Sequence, residues 1–321
     1  MKSFFISILL LILSLRSFCW GFYGHQKINY LAVFLLPPEM LPFYKTHIDF
    51  IAAHSVDPDK RRYALKEEGP RHYIDIDHYG AYPYQNLPRN YQEAAACYSE
   101  DTLMAHGIVP WWVQRMLFRL TKAFQEKDAN RILKISAEIG HYISDAHVPL
   151  HACHNHNGQY TGQHGIHGFW ESRVPELLAD AQFNFWIGRA VYLQNPEQFI
   201  WNRVLESAAA ADTVLQTEKE LTASFPKDYK YAFENRNGII IRQYAAAFTV
   251  AYHQQLHGMV ERRMRESIFA VSSYWYTAWV NAGQPDLNSL LKKEWTEEDH
   301  KNFEELEQHW KNGKIVGRDC N

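Results

Sequence analysis

The stretch HYISDAHVPLH, residues 141–151, constrains the fold more than any other part of the 321-residue chain. It completes a run in which Ile132, Ile135, Ile139 and Ile143 recur at helical spacing, and Pro149 stops the pattern. A helix there sets His141 and Asp145 four residues apart on one face, where a single metal ion can take both. The break at Pro149 lets the chain bend so that His151 returns toward the same place. A second pair follows in HGFWE, where His167 and Glu171 are again four apart, before Pro175. A lone histidine is more often a hydrogen-bonded core or loop residue, but two such pairs within 31 residues favour ligands. Imidazole with carboxylate is the donor set that suits zinc in hydrolytic sites.

The rest of the chain reads as helical too. QKINYLAVFLL has helical apolar spacing up to Pro37-Pro38, and PWWVQRMLFRLTKAFQ opens with Pro110 in the favoured first turn. PEQFIWNRVLESAAAADTVLQTEKEL and the long stretch from residue 239 to 280 continue the theme, and period-two strands are hard to find. The expectation is an all-α fold with one helical domain over residues 20–290. No repeat or Gly/Ser linker divides it, and the highly charged residues 291–321 read as a solvated helix and tail.

Residues 1–19 read as a cleaved secretory signal. Lys2 precedes an apolar run over 4–15 that is too short to span a bilayer, and Ser17 and Cys19 fit the small-residue rule for cleavage before Trp20. The protein is then secreted or periplasmic, with no transmembrane anchor once cut. Acylation of Cys19 is disfavoured by bulky Phe18, and an uncleaved anchor is the other alternative. Loss of Cys19 leaves Cys97, Cys153 and Cys320, an odd number without zinc-finger spacing, so one disulfide at most is expected.

Composition narrows the function. A net charge of −3 and a pI near 6.6 argue against stable binding of duplex DNA through a broad basic face. The unusual number is 17 histidines, seven of them from His141 to His167. Of these, His147, His154, His156 and His164 lack a carboxylate four residues away and read as loop or supporting residues; His78, His106, His253 and His257 read as ordinary ones.

Upstream, HSVDPDKRR and RHYIDID supply Asp57 and His72, fifteen apart and weak as a signal alone. With the pairs, the order becomes Trp20, His25, Asp57, His72, His141, Asp145, His151, His167, Glu171. In WGFYGH, RHYIDID, HYISDAHVPLH and GIHGFWES, this order resembles the superfamily of bacterial zinc-dependent phospholipases C and the secreted single-strand-specific nucleases of fungi and plants. The likeness runs over roughly the whole domain. It implies a mostly helical fold holding three zinc ions in a cleft. By that resemblance Asp57, His72 and His141 hold one zinc, and Asp145 bridges it to a second, completed by His25 and by the amine and carbonyl of Trp20. His151, His167 and Glu171 hold the third.

The resemblance also implies a chemistry: hydrolysis of a phosphodiester by zinc-bound hydroxide, with Asp57 orienting the nucleophile or accepting its proton and Lys60 steadying the phosphate. A plain surface lysine is the equal alternative for Lys60. Asp75 is expected to support a ligating histidine. DAHVPLH and Trp170 are similar to the nucleases, whereas Glu171 is similar to the phospholipases. Ten Trp, 19 Tyr and 18 Phe permit base stacking and would equally line a lipid-facing cleft, and most are core residues; single-stranded nucleic acid is the favoured substrate by a small margin, with phospholipid the alternative. A reading of another class is a non-catalytic secreted protein that buffers zinc.

Overall fold

A computed structural model describes residues 21–236, 238–292 and 294–318, so Trp20, the signal and Cys320 lie outside the described residues. The chain is mostly helical, as its periodicity predicts. The Ala129–Asp145 helix is capped by Asp128, whose carboxylate accepts from the Arg131 amide at 3.1 Å, and it turns its isoleucine stripe inward. It packs along the Val109–Gln125 helix, whose Pro110 sits in the first turn. The Met259–Asn281 helix lies against both and against the Gly21–Ala32 helix, while the Pro196–Ser224 helix covers the turn Pro149–Ala152. Trp170, Trp201 and Trp275 are wholly buried in this core. Burying each large side chain stabilises the fold by about 1.5–3 kcal/mol.

Two elements depart from the sequence reading. Residues from 239 do not begin a helix: Tyr231–Arg236 and Ile239–Tyr244 pair antiparallel, with Tyr231 opposite Tyr244. The helix then starts at Ala246 and breaks again at Gly258, whose φ of +73° no continuing helix tolerates. The charged C-terminal segment does form a helix, Glu297–Asn312, opened by a Thr296–Asp299 capping box. It packs on the short Asp57–Arg61 helix, with Phe50 stacked on Trp295 at 4.2 Å and Trp310 5.2 Å from Phe22. Among the described residues no helix is long and apolar enough to cross a membrane. Cys97 is exposed and Cys153 buried, both as free thiols.

Candidate metal centre

One close helix crossing sets up the centre. Gly140 meets the Gly21–Ala32 helix so tightly that a Cβ there would lie 2.1 Å from Asn29 Oδ1. Asn29 donates to Ala137 O at 2.9 Å and Ile51 O at 3.3 Å, which ties the two helices together. His25 is thereby stacked on His141, ring centroids 3.8 Å apart. Beyond the end of the Ala129–Asp145 helix, the turn at Pro149–Ala152 returns His151 to the interior. His167 sits in the short Ile166–Gly168 turn and Glu171 in a wide π-turn, Phe169–Arg173, of a kind often found at functional sites. The helix continues through Pro175 as Val174–Gln182.

Three donor groups result: His25, His141 and Asp145; Asp59, His72 and His141; and His151, His167 and Glu171. All eight side chains are buried. His141 belongs to two groups, and Asp145 Oδ2 lies 3.0 Å from His72 Nδ1 and 3.3 Å from His141 Nε2. Asp145 Oδ1 faces His25 Nε2 at 3.4 Å. Two donors on one tetrahedral zinc stand about 3.3 Å apart, given bonds near 2.0 Å.

The outer hydrogen bonds fix which ring nitrogens face inward. His141 Nδ1 donates to Ser55 O at 2.8 Å, His151 Nδ1 to His72 O at 2.6 Å and His167 Nδ1 to His156 O at 3.0 Å. A carbonyl can only accept, so each Nδ1 carries hydrogen and the neutral ring aims a bare lone pair from Nε2 into the site. For His25 the acceptor is Ser144 Oγ at 2.9 Å, whose own hydrogen goes to the carbonyls of Gly140 and His141. The consequence is sharpest at His151 and His167. Their Nε2 atoms lie 3.1 Å apart beside Glu171 Oε2, at 3.4 and 3.1 Å, three acceptors with no donor among them when the rings are neutral. Both Glu171 oxygens, both Asp59 oxygens, Asp145 Oδ1 and His25 Nε2 are buried without a hydrogen-bond partner. Such a set is costly unless cations enter it, and divalent ions of the zinc class fit its imidazole and carboxylate donors.

Charge tells the same story. Burial would raise the Asp145 carboxyl, but the imidazoles of His141 and His151 outweigh it and hold it well below the usual carboxylate range. Glu171 is lowered in the same way, with His167 the main counterweight to burial. Asp59 goes the other way: burial pushes it up to about 7 against the pull of His72 and Arg62. Burial, with His141 stacked beside it, drives His25 well below 6.5 and keeps it neutral.

Compared with the sequence assignment, His25, His72, His141, Asp145, His151, His167 and Glu171 come together and Asp57 does not. Its place beside His72 and His141 is taken by Asp59, 3.8 and 3.7 Å away. Two residues along a helix turn a side chain by about 200°, so Asp57 and Asp59 face opposite ways on Asp57–Arg61. Asp57 Oδ2 binds His54 Nδ1 at 2.7 Å and lines a cavity of about 310 Å³ whose walls include none of the eight donors. Lys60 follows Asp57 outward, 3.6 Å from it and 2.9 Å from Glu307. The cation beside Asp59 is Arg62, 3.8 Å away.

Asp75 touches no clustered histidine either; the carboxylate behind His72 is Glu68, 3.6 Å from Nε2. Glu68 is buried and held by Arg61 at 3.2 Å and Arg71 at 2.5 Å, and these partners and His72 outweigh its desolvation and depress its pKa. Its four-residue spacing from His72 was the available sequence signal. Trp170 is fully buried and serves the core. The chain matches no protein-family model and no curated protein.

Proposed function

We propose that the protein is a zinc-dependent phosphodiester hydrolase acting on single-stranded nucleic acid. The observation that supports it best is the sharing of donors: His141 serves two groups, and the third group is joined to them through the bond from His151 to His72 O. Contiguous buried groups of this kind suit a multi-ion hydrolytic centre more than a metal buffer, which needs no such preorganisation. Asp59, His72 and His141 would hold one ion, His25 and Asp145 a second with the Trp20 amine, and His151, His167 and Glu171 a third. Bound zinc supplies Lewis acidity and water acidified toward neutral pH.

The chain's own residues do the rest. Backbone carbonyls of Ser55, His72 and His156 keep three rings in the ligating tautomer, and Glu68 sets a carboxylate 3.6 Å behind His72 Nε2. A cavity of about 330 Å³, whose walls hold Gly168 and Ser172, the chain neighbours of His167 and Glu171, but none of the eight donors, is also lined by Tyr231, Arg236, Arg242 and Tyr244. Arg242 stacks on Tyr231 at 3.8 Å, so this wall offers both a cation for phosphate and a ring for a base.

One observation favours phospholipid instead. The same hairpin leaves Phe233 75% and Ile240 63% exposed, as a lipid-facing tip would. The deciding experiment assays zinc-loaded protein in parallel on single-stranded DNA, RNA and phosphatidylcholine, with Asp145→Asn as control. Hydrolysis of nucleic acid alone, lost in the control, is expected. Action on phosphatidylcholine alone would replace the nuclease assignment, and no hydrolysis of any of the three would remove the enzymatic one.

A further inference from the structure

A fourth donor group lies outside the centre and shares no residue with it: Asp75, His106 and His154. We infer that these three side chains form a peripheral site for one zinc-class divalent ion, which staples together the two segments that deliver His72 and His151.

The geometry matches a metal better than a hydrogen-bond cluster. Asp75 Oδ2 lies 3.3 Å from His154 Nδ1 and 3.7 Å from His106 Nδ1, close to the edge of about 3.3 Å that a tetrahedral zinc imposes. The first distance also suits a hydrogen bond, but the second is too long for one, and His106 Nδ1 is buried with no hydrogen-bond partner. His154 has its other nitrogen on the Tyr160 hydroxyl, which can accept from Nε2–H and leave the Nδ1 lone pair toward Asp75. His78 stacks on His106 at 3.4 Å and fixes that ring. Two imidazoles and a carboxylate are donors for zinc rather than calcium or magnesium.

The backbone holds all three donors in place. Asp75 N donates to His106 O at 2.7 Å, and His154 N donates to Asp77 at 3.0 and 3.1 Å. Gly107 follows His106 at φ +88°, and a Cβ there would strike Tyr73 O at 2.2 Å, so His106 is pressed against the 73–75 segment. Asp75 stands three residues after His72 and His154 three after His151, with Ile74 N already bonded to His151 O at 2.9 Å. An ion here ties the outside of the same two segments. Arg318 competes for it, since its Nη1 lies 2.7 and 2.8 Å from the two Asp75 oxygens.

The test is native mass spectrometry of the full chain titrated with zinc, alongside His154→Ala, His106→Ala and Arg318→Ala. Each histidine variant should carry one zinc fewer than the parent, whatever the parent's total. Arg318→Ala should keep that ion and hold it more tightly against a chelator. The His154 side chain is 51% exposed, so its loss leaves the fold intact if His106→Ala does not. In the parent, zinc should also shield His154 from diethyl pyrocarbonate, read by peptide mapping. Equal zinc counts in the parent and His154→Ala, or unchanged labelling of His154, would overturn the site.

Discussion

Asp59 shows how much a single side chain decides. The residue types and rough position of this ligand were legible in HSVDPDKRR, but spacing alone could not choose between two carboxylates on a five-residue helix. The choice depends on which face meets the Ala129–Asp145 helix, a tertiary fact. Asp59→Asn is therefore expected to weaken zinc binding by roughly 10-fold to 100-fold or more. Asp57→Asn should leave the metal content unchanged, and equal losses in the two would show that the helix faces are misassigned. Asp59 also gives binding a pH dependence. Its carboxyl is lifted to about 7 by burial without a metal, so below that pH a proton occupies the place of the ion. Zinc affinity should rise as pH increases from 6 to 8, with proton release detectable by calorimetry in buffers of different ionisation enthalpy. A flat profile over that range would exclude Asp59 as the competing group.

At the scale of elements, the His141/Asp145 pair was readable because it rides on a helix whose apolar stripe is unambiguous, and the His167/Glu171 pair because it repeats the same four-residue spacing. The hairpin was not. Ile239, Ile240 and Ile241 are separated from AAAFTV only by Arg242, Gln243 and Tyr244, and a short apolar run before a helix has no period of its own. The Asn-Gly dipeptide at 237–238 was the one local turn signal. Helix approach was likewise invisible in sequence, although Gly140 carries it. Its substitution by alanine would place a methyl 2.1 Å from an Asn29 amide that is buried and doubly bonded. Gly140→Ala is expected to cost about 1–3 kcal/mol in denaturant unfolding and to separate His25 from His141. Stability within a few tenths of a kcal/mol of the parent would mean that Asn29 can yield.

At the scale of the whole molecule, buried donors and peripheral packing act on one balance. Carboxylates and lone pairs sealed without partners oppose folding until cations neutralise them, so removal of metal should destabilise the chain broadly. At zinc concentrations a thousandfold above the dissociation constant, one site adds about 4 kcal/mol. Chelation should lower the melting temperature by many degrees, with recovery on adding zinc, and an unchanged melt would contradict a metal centre built into the core. The C-terminal helix bears on the same balance from outside. Its charge reads as solvation, yet Phe303 and Trp310, seven residues apart, dock on Phe50 and Phe22, and Trp295 just ahead of the helix stacks on Phe50. Glu307 and Asp299 fasten that docking to Lys60 and Lys134. Because the helix lies on Asp57–Arg61, which carries Asp59, loosening it should be felt at the metal. Trp310→Ala is expected to cost about 1–2 kcal/mol through lost packing and to speed zinc loss to a chelator. Destabilisation with unchanged zinc release would confine the helix to a structural role.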